Sequence, residues 1–215
     1  MSQQMKSLKL VFTLFFILLL SAWLFLGSSH QRKVTISVVS NENNSSVIKA
    51  ARLYLEHYNK THPKVPFRIN LQEYNDENDK ELAVKIANTI SSDRRSVSVI
   101  GHPWSSTSLA AGPVYAEHKL PVLAVSATNP KVTAQSEYHF RSIFNDKLQG
   151  QFLAKYGHKI LNKKRVFILH TDKAYATYLA RVFLKSSNRS GMVVMDKLLF
   201  KKPVSKSVSV IKIKT

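Results

Sequence analysis

The 215-residue sequence predicts an α/β fold with a doubly wound, mostly parallel sheet, and three observations carry that expectation. Short β-branched runs such as VTISVVS and PVLAV are of the length and type that fill buried strands. Segments with apolar residues at three- and four-residue spacing lie between them, so strand and helix alternate as parallel crossover units require. A hydrophobic content of 44% with 21% charged residues and no Cys describes a chain that builds a core without disulfides and is not disordered.

The elements follow in order. Val34–Ser40 reads as a buried strand. Ser45 or Ser46 can cap a helix through Tyr58, which carries Val47, Ala50, Ala51, Tyr54 and Leu55 on one face. Pro63 and Pro66 end it, and FRINLQEY (Phe67–Tyr74) alternates as a strand. Asp76, Glu77 and Asp79 form a polar turn that caps a helix over Lys80–Ser91. They resemble a calcium loop in composition only. Val97–Ile100 is a strand, Ser105–His118 a helix interrupted by Pro113, and Pro121–Val125 a strand. Phe140–Gln149 reads as a linker or domain switch. Beyond it come a helix near Gln149–Leu161, a strand Val166–His170, a helix Tyr175–Ser187 and a strand Met192–Phe200. The tail after Pro203 alternates and suits an edge strand with no assigned partner.

The amino terminus stands apart from this pattern. Lys6 and Lys9 precede an uncharged apolar run, Leu10–Leu26, followed by Gly27, Ser28 and Ser29. That is the order of a secretory signal peptide, and the run is also near the lower limit for spanning a hydrocarbon core of about 30 Å. A cleaved signal and a retained transmembrane helix both remain open, and either places the remaining chain in the periplasm or outside the cytoplasm. The expected divisions are 1–29, signal or anchor; 30–140, a first lobe; and 141–215, part of a second.

The net charge of +19 raises nucleic acid or an anionic membrane as a partner. Most of the excess lies in residues 147–215, which hold 16 basic and 2 acidic residues. No long basic block, zinc-finger spacing or aromatic–basic strand accompanies it, so nucleic acid is not an expected partner. The eight His residues lack metal-ligand spacing, and no nucleophile elbow or acid/base pair can be assembled. The expectation is a protein without a cofactor or a metal, and not an enzyme.

Ligands of open parallel sheets bind beyond the carboxyl ends of the strands, which directs attention to the loops after Ser40, Tyr74, Gly101, Val125 and His170. Two of these carry suitable chemistry. His102, Pro103, Trp104, Ser105, Ser106, Thr107 and Ser108 lead from a strand into a helix, where hydroxyls and free N–H groups suit a carboxylate. Simple helix capping accounts for the same residues. Trp104 can wall an apolar pocket. Ser126, Ala127, Thr128, Asn129 and Pro130 offer a hydroxyl and carbonyls for an ammonium, or merely a turn.

The stretch VIGHPWSSTSLAAGPVYAEHKLPVLAVSATNPKVT resembles the amino-terminal lobe of the branched-chain amino acid (Leu/Ile/Val) periplasmic binding protein family. These are type I solute-binding proteins of ABC importers, related in fold to extracellular ligand-binding receptors. The resemblance resumes at YHFRSIFNDKLQGQFLAKY and KKRVFILHTDKAYATYLARVF and covers about residues 34–200. It implies a type I periplasmic-binding-protein-like fold, one complete lobe and an incomplete second, with ligand held in the cleft between. It also implies delivery of an amino acid or small amide to an ABC permease. By resemblance, Ser105 and the Ser106 backbone take the ligand carboxylate. The Ser126 carbonyl and Thr128 hydroxyl take its ammonium, Trp104 lines the side-chain pocket, and Tyr175 closes from the second lobe. The chain departs from the family at Ala176, where Gly is usual, and at Asn41–Asn44, where a Gly-rich loop is expected. The family chain also runs on to complete the second lobe and supply an acidic partner for the ammonium. Three other readings stay open: a membrane-anchored sensor ectodomain with a signalling partner, an anion-binding surface protein, and a non-functional fragment.

Overall fold

A computed structural model describes residues 13, 15–18, 21, 32–43 and 45–200. Strands and helices alternate: β1 (Arg32–Ser40), α1 (Ser46–Thr61), β2 (Phe67–Asn75), α2 (Lys80–Ser92), β3 (Ser96–Ile100), α3 (Ser105–Glu117), β4 (Val122–Ala124) and β5 (His139–Arg141). They continue with α4 (Asp146–Lys159), β6 (Arg165–Thr171), α5 (Ala174–Arg189) and β7 (Val193–Phe200).

β1 to β5 form one parallel sheet in the order β2-β1-β3-β4-β5. This is a doubly wound arrangement, in which the strand order reverses between β1 and β3 and opens a crevice at their carboxyl ends. Val38, Val39 and Ser40 at the end of β1 are all buried, as a central strand covered on both faces requires. Edge strand β2 instead alternates half-buried and exposed residues. The main core lies where α2 and α3 pack on each other and on the sheet, through Val39, Ile86, Ile90, Val99, Tyr115 and Val122. The second unit is smaller: β6 and β7 pair in parallel, and α4 and α5 pack on each other, with α5 against both strands.

The chain's own polar residues start three of the helices. Ser45 Oγ accepts the Ile48 N–H at 3.4 Å, Asp79 Oδ1 that of Leu82 at 2.7 Å, and Asn145 Oδ1 that of Leu148 at 3.0 Å. At the starts of α3 and α5 the cap positions are Trp104 and Lys173, and neither side chain caps its helix.

Two elements differ from the sequence expectation. The start of the segment taken as a linker, Phe140 and Arg141, belongs to β5, a three-residue strand that pairs with β4 from His139 to Arg141. α4 begins at Asp146, earlier than its apolar spacing indicates, because Asn145 caps it. Pro113 sits inside α3. Of the apolar run Leu10–Leu26, residues 13, 15–18 and 21 are helical, and the remainder lies outside the described residues, as does the tail after Pro203. Among the described residues no helix is long and apolar enough to cross a membrane.

Candidate functional site

The loops that follow β1, β3 and β4 converge at the reversal of strand order, and α4 and α5 close the space from the other side. The cleft has a volume of about 410 Å³. Trp104, Ser105, Ser126, Thr128 and Tyr175, all singled out in the sequence, line it together. Ser106 does not line it, because its hydroxyl donates to Asn78 Oδ1 at 3.3 Å. Asn41, Pro103, Phe144 and Gln149 complete the lining, so none of its side chains carries a charge.

Most hydroxyls of the first loop are spent on shaping it. Thr107 Oγ1 donates to the Trp104 carbonyl (3.1 Å), Ser108 Oγ to that of His102 (2.8 Å), and Ser126 Oγ across the crevice to that of Pro103 (2.8 Å). Ser105 Oγ accepts the Asn129 N–H at 3.3 Å, which leaves its own proton to donate. The first N–H groups of a helix have no intrahelical acceptor, and with Trp104 at the cap no side chain takes those of α3. The start of α3 therefore offers donors and the positive end of a helix dipole, and can hold a carboxylate. Capping, the competing explanation for these Ser and Thr residues, does not apply to this end.

The second loop is held from behind. The Arg141 guanidinium donates to the carbonyls of Thr128 and Asn129, the latter at 2.7 Å. The Asp146 N–H donates to the Thr128 carbonyl at 3.0 Å. Burial pushes the Asp146 carboxyl above the usual carboxylate range, and the Thr128 hydroxyl and Arg141 guanidinium offset part of that rise. The two units meet at the same place: Asn129 Nδ2 donates to the Ala174 carbonyl at 3.3 Å, and Gln149 Nε2 to Tyr175 Oη at 3.4 Å.

Beneath the first loop lies a network that the sequence expectation missed. Asp76, expected to help cap α2, is fully buried. Its Oδ2 lies 2.7 Å from His102 Nδ1, and its Oδ1 accepts the Asn78 N–H at 2.9 Å. His102 Nε2 lies 3.1 Å from Tyr115 Oη. These partners assign the tautomer, with Nδ1–H donating to Asp76 and Nε2 accepting from Tyr115. Burial, with smaller contributions from Tyr74 and Asp76, holds the Tyr115 hydroxyl well above its ordinary pKa, so it remains a donor. Asp79 alone caps α2, because β1 and β2 draw Asp76 inward: its N–H donates to the Ser40 carbonyl at 2.7 Å. Gly101 brings the loop against β1. Its φ is 143°, and a Cβ there would lie 2.5 Å from the Val39 carbonyl oxygen.

Other residues lack an obvious sequence signal. Asn41 is foreshadowed by its place just after β1, and Gln149 by its position near the unit boundary, whereas nothing local marks Phe144. Among the described residues no group of three or more His, Cys, Asp or Glu could hold a metal ion.

Comparison with known proteins adds the following. The profile of a family described as periplasmic binding protein matches residues 35–201. The leucine-specific-binding protein of Salmonella typhimurium is 34% identical over 110 residues, covering 51% of this chain and 30% of that protein. The Leu/Ile/Val-binding protein of Escherichia coli K12 is 30% identical over 115 residues, covering 53% and 31%. A solved ABC transporter substrate-binding protein from Desulfitobacterium hafniense, in complex with Leu, superposes with a TM-score of 0.71 at 23% identity. It matches 80% of this chain and 52% of its own. The chain thus spans about half the length of that structural neighbour, and the aligned stretch is under a third of each of the two relatives.

Proposed function

Because the chain belongs to the periplasmic binding protein family, we propose that it binds an extracytoplasmic amino acid or small amide, of the branched-chain type, and presents it to an ABC permease. The lobes are residues 30–140 and, in part, 141–215, with residues 1–29 acting as signal or anchor. The protein binds and releases its ligand unchanged. The observation that carries this reading is the convergence of Trp104, Ser105, Ser126 and Thr128 from one unit with Tyr175 from the other on a single cleft.

The chemistry follows from that geometry. The uncapped start of α3 takes the ligand carboxylate, with Ser105 Oγ and the Ser106 N–H as donors. The Ser126 carbonyl and the Thr128 hydroxyl accept from the ammonium. Trp104, which is 45% exposed, has apolar area to gain when a side chain settles against it. Tyr175, on the first turn of α5, moves with the second unit and covers the ligand. The leucine-binding relatives and the Leu-bound neighbour support an aliphatic side chain as the first candidate.

The test is a thermal-shift and calorimetric screen with leucine, isoleucine, valine and short amides. A well-folded protein is expected to respond to at least one, and Ser105→Ala and Thr128→Ala to weaken that response by about tenfold, as loss of a hydrogen bond to a charged group does. A folded protein that responds to none, or variants that respond like wild type, would contradict the reading.

A further inference from the structure

Asn129 stands at a junction of four segments, and each of its polar groups is engaged. Its N–H donates to Ser105 Oγ at 3.3 Å, and its carbonyl accepts from the Arg141 guanidinium at 2.7 Å. Its side-chain Oδ1 accepts the Lys131 N–H at 3.0 Å and so caps the short helical turn Pro130–Val132. That bond assigns the amide orientation, because an N–H needs an oxygen, and leaves Nδ2 to donate to the Ala174 carbonyl at 3.3 Å. Asn129 is 4% exposed, so water is a poor substitute for any of these partners.

The bond to Ala174 differs from the others in what it joins. Ser105, Lys131 and Arg141 belong to the loops and strand around Asn129 itself, whereas Ala174 is the first residue of α5, 45 residues away in sequence. The tie between the Asp146 N–H and the Thr128 carbonyl lies instead where the chain crosses between the units. A tie at the crossing leaves the second unit free to swing about it. A tie at α5 opposes that swing, because α5 carries Tyr175 to the cleft.

We propose that Asn129 is the positioning residue that couples a ligand at Ser105 to closure of α5 over the cleft. Asn129 does not line the cleft and acts through its two neighbours. A hydroxyl that donates to a carboxylate becomes a better acceptor. A carboxylate at Ser105 Oγ therefore tightens the Asn129 N–H bond and steadies the amide that faces Ala174. By reciprocity, a closed α5 steadies Asn129 against Ser105 and slows release of the ligand. The ligand's part in this rests on the amino-acid reading above; the tie to α5 does not.

The experiment measures the distance between the units. The chain has no Cys, so spin labels can be placed by Glu117→Cys at the end of α3 and Lys185→Cys on α5, both exposed. Distance distributions are recorded with and without leucine for the labelled protein and for its Asn129→Asp and Asn129→Ser variants. Both substitutions keep an oxygen able to cap the Lys131 N–H, and both remove the amide donor to Ala174. The ratio of open to closed protein without leucine is expected to rise about fivefold in each variant, as loss of a neutral hydrogen bond gives. Leucine is expected to dissociate about fivefold faster, with association within about twofold of wild type. If Asn129 serves only to cap its turn, both variants match wild type, and that result overturns the proposal. A raised ratio with unchanged leucine dissociation overturns the coupling. If Asn129→Asp fails to fold, Asn129→Ser decides alone. A folded wild type that does not bind leucine overturns the amino-acid reading and the coupling with it, while the ratio without leucine still decides the tie to α5.

Discussion

Asp76 was readable as a helix cap because an acidic residue before a helix ordinarily is one, and its neighbour Asp79 does that work. What redirects Asp76 is His102, distant in sequence and brought beside it only when β1, β2 and β3 align. A local reading has no access to such a pairing, and the same holds for Phe144 in the cleft. Trp104, Ser105 and Thr128 were legible because strand-end loops are where parallel sheets bind ligands, whatever the rest of the fold does. Replacing Asp76 by Ala leaves the His102 Nδ1–H buried without an acceptor, and is expected to cost about 3 kcal/mol in urea unfolding. Tyr115→Phe removes one neutral hydrogen bond and is expected to cost about 1 kcal/mol. Equal, negligible effects would mean that the network does not hold the loop. A second residue-scale expectation concerns pH. His139 is buried with both ring nitrogens unpartnered, and burial lowers its pKa from the ordinary 6.5. Below that value the unfolded chain takes up a proton that the native one resists. The neutral ring therefore leaves stability intact above about pH 6.5, and stability is lost as pH falls from there toward the lowered native pKa. Comparison of unfolding at pH 7.5 and 5.5 should give a smaller difference in His139→Gln than in wild type.

Helices and long strands follow from spacing and caps that act within a few residues, and for this reason α1, α2, α5, β1 and β2 could be read with small errors at their ends. β5 could not. His139, Phe140 and Arg141 carry no alternation of useful length, and they are a strand because β4 offers them an edge. The start of α4 was misread for a related reason: its first turn is polar, and its cap and its tie to Thr128, not apolar periodicity, determine where it begins. α4 and α5 approach closely at Gly150, where a Cβ would lie 2.8 Å from Val182 Cγ1 and 3.1 Å from the Phe183 N. Gly150→Ala is expected to force these helices apart and cost about 1–3 kcal/mol. Since α4 and α5 carry Gln149 and Tyr175, it should also weaken ligand binding. Calorimetry beside an unfolding curve checks both effects, and an Ala variant of wild-type stability would show that the helices have room to spare.

At the scale of the whole molecule, the charge distribution that first suggested an anionic partner separates into two parts. All three ion pairs among the described residues lie at or before His102, in the nearly balanced first unit. The basic residues from Lys147 onward have no acidic partner among those described. The side chains lining the cleft are uncharged, so the recognition proposed for it, through a helix start, carbonyls and hydroxyls, would not draw on that excess. What unites the molecule is the convergence of both units on one cleft, joined by the Asn129–Ala174 and Gln149–Tyr175 hydrogen bonds. The most direct test of the account is a ¹H–¹⁵N correlation spectrum recorded as leucine is added. The account predicts the largest shifts at the N–H groups of Ser105, Ser106 and Thr107, with smaller ones at Thr128, Gln149 and Tyr175. Shifts centred elsewhere, for instance on the polar groove between Glu56 and Arg68, with Ser105 to Thr107 unmoved, would contradict it.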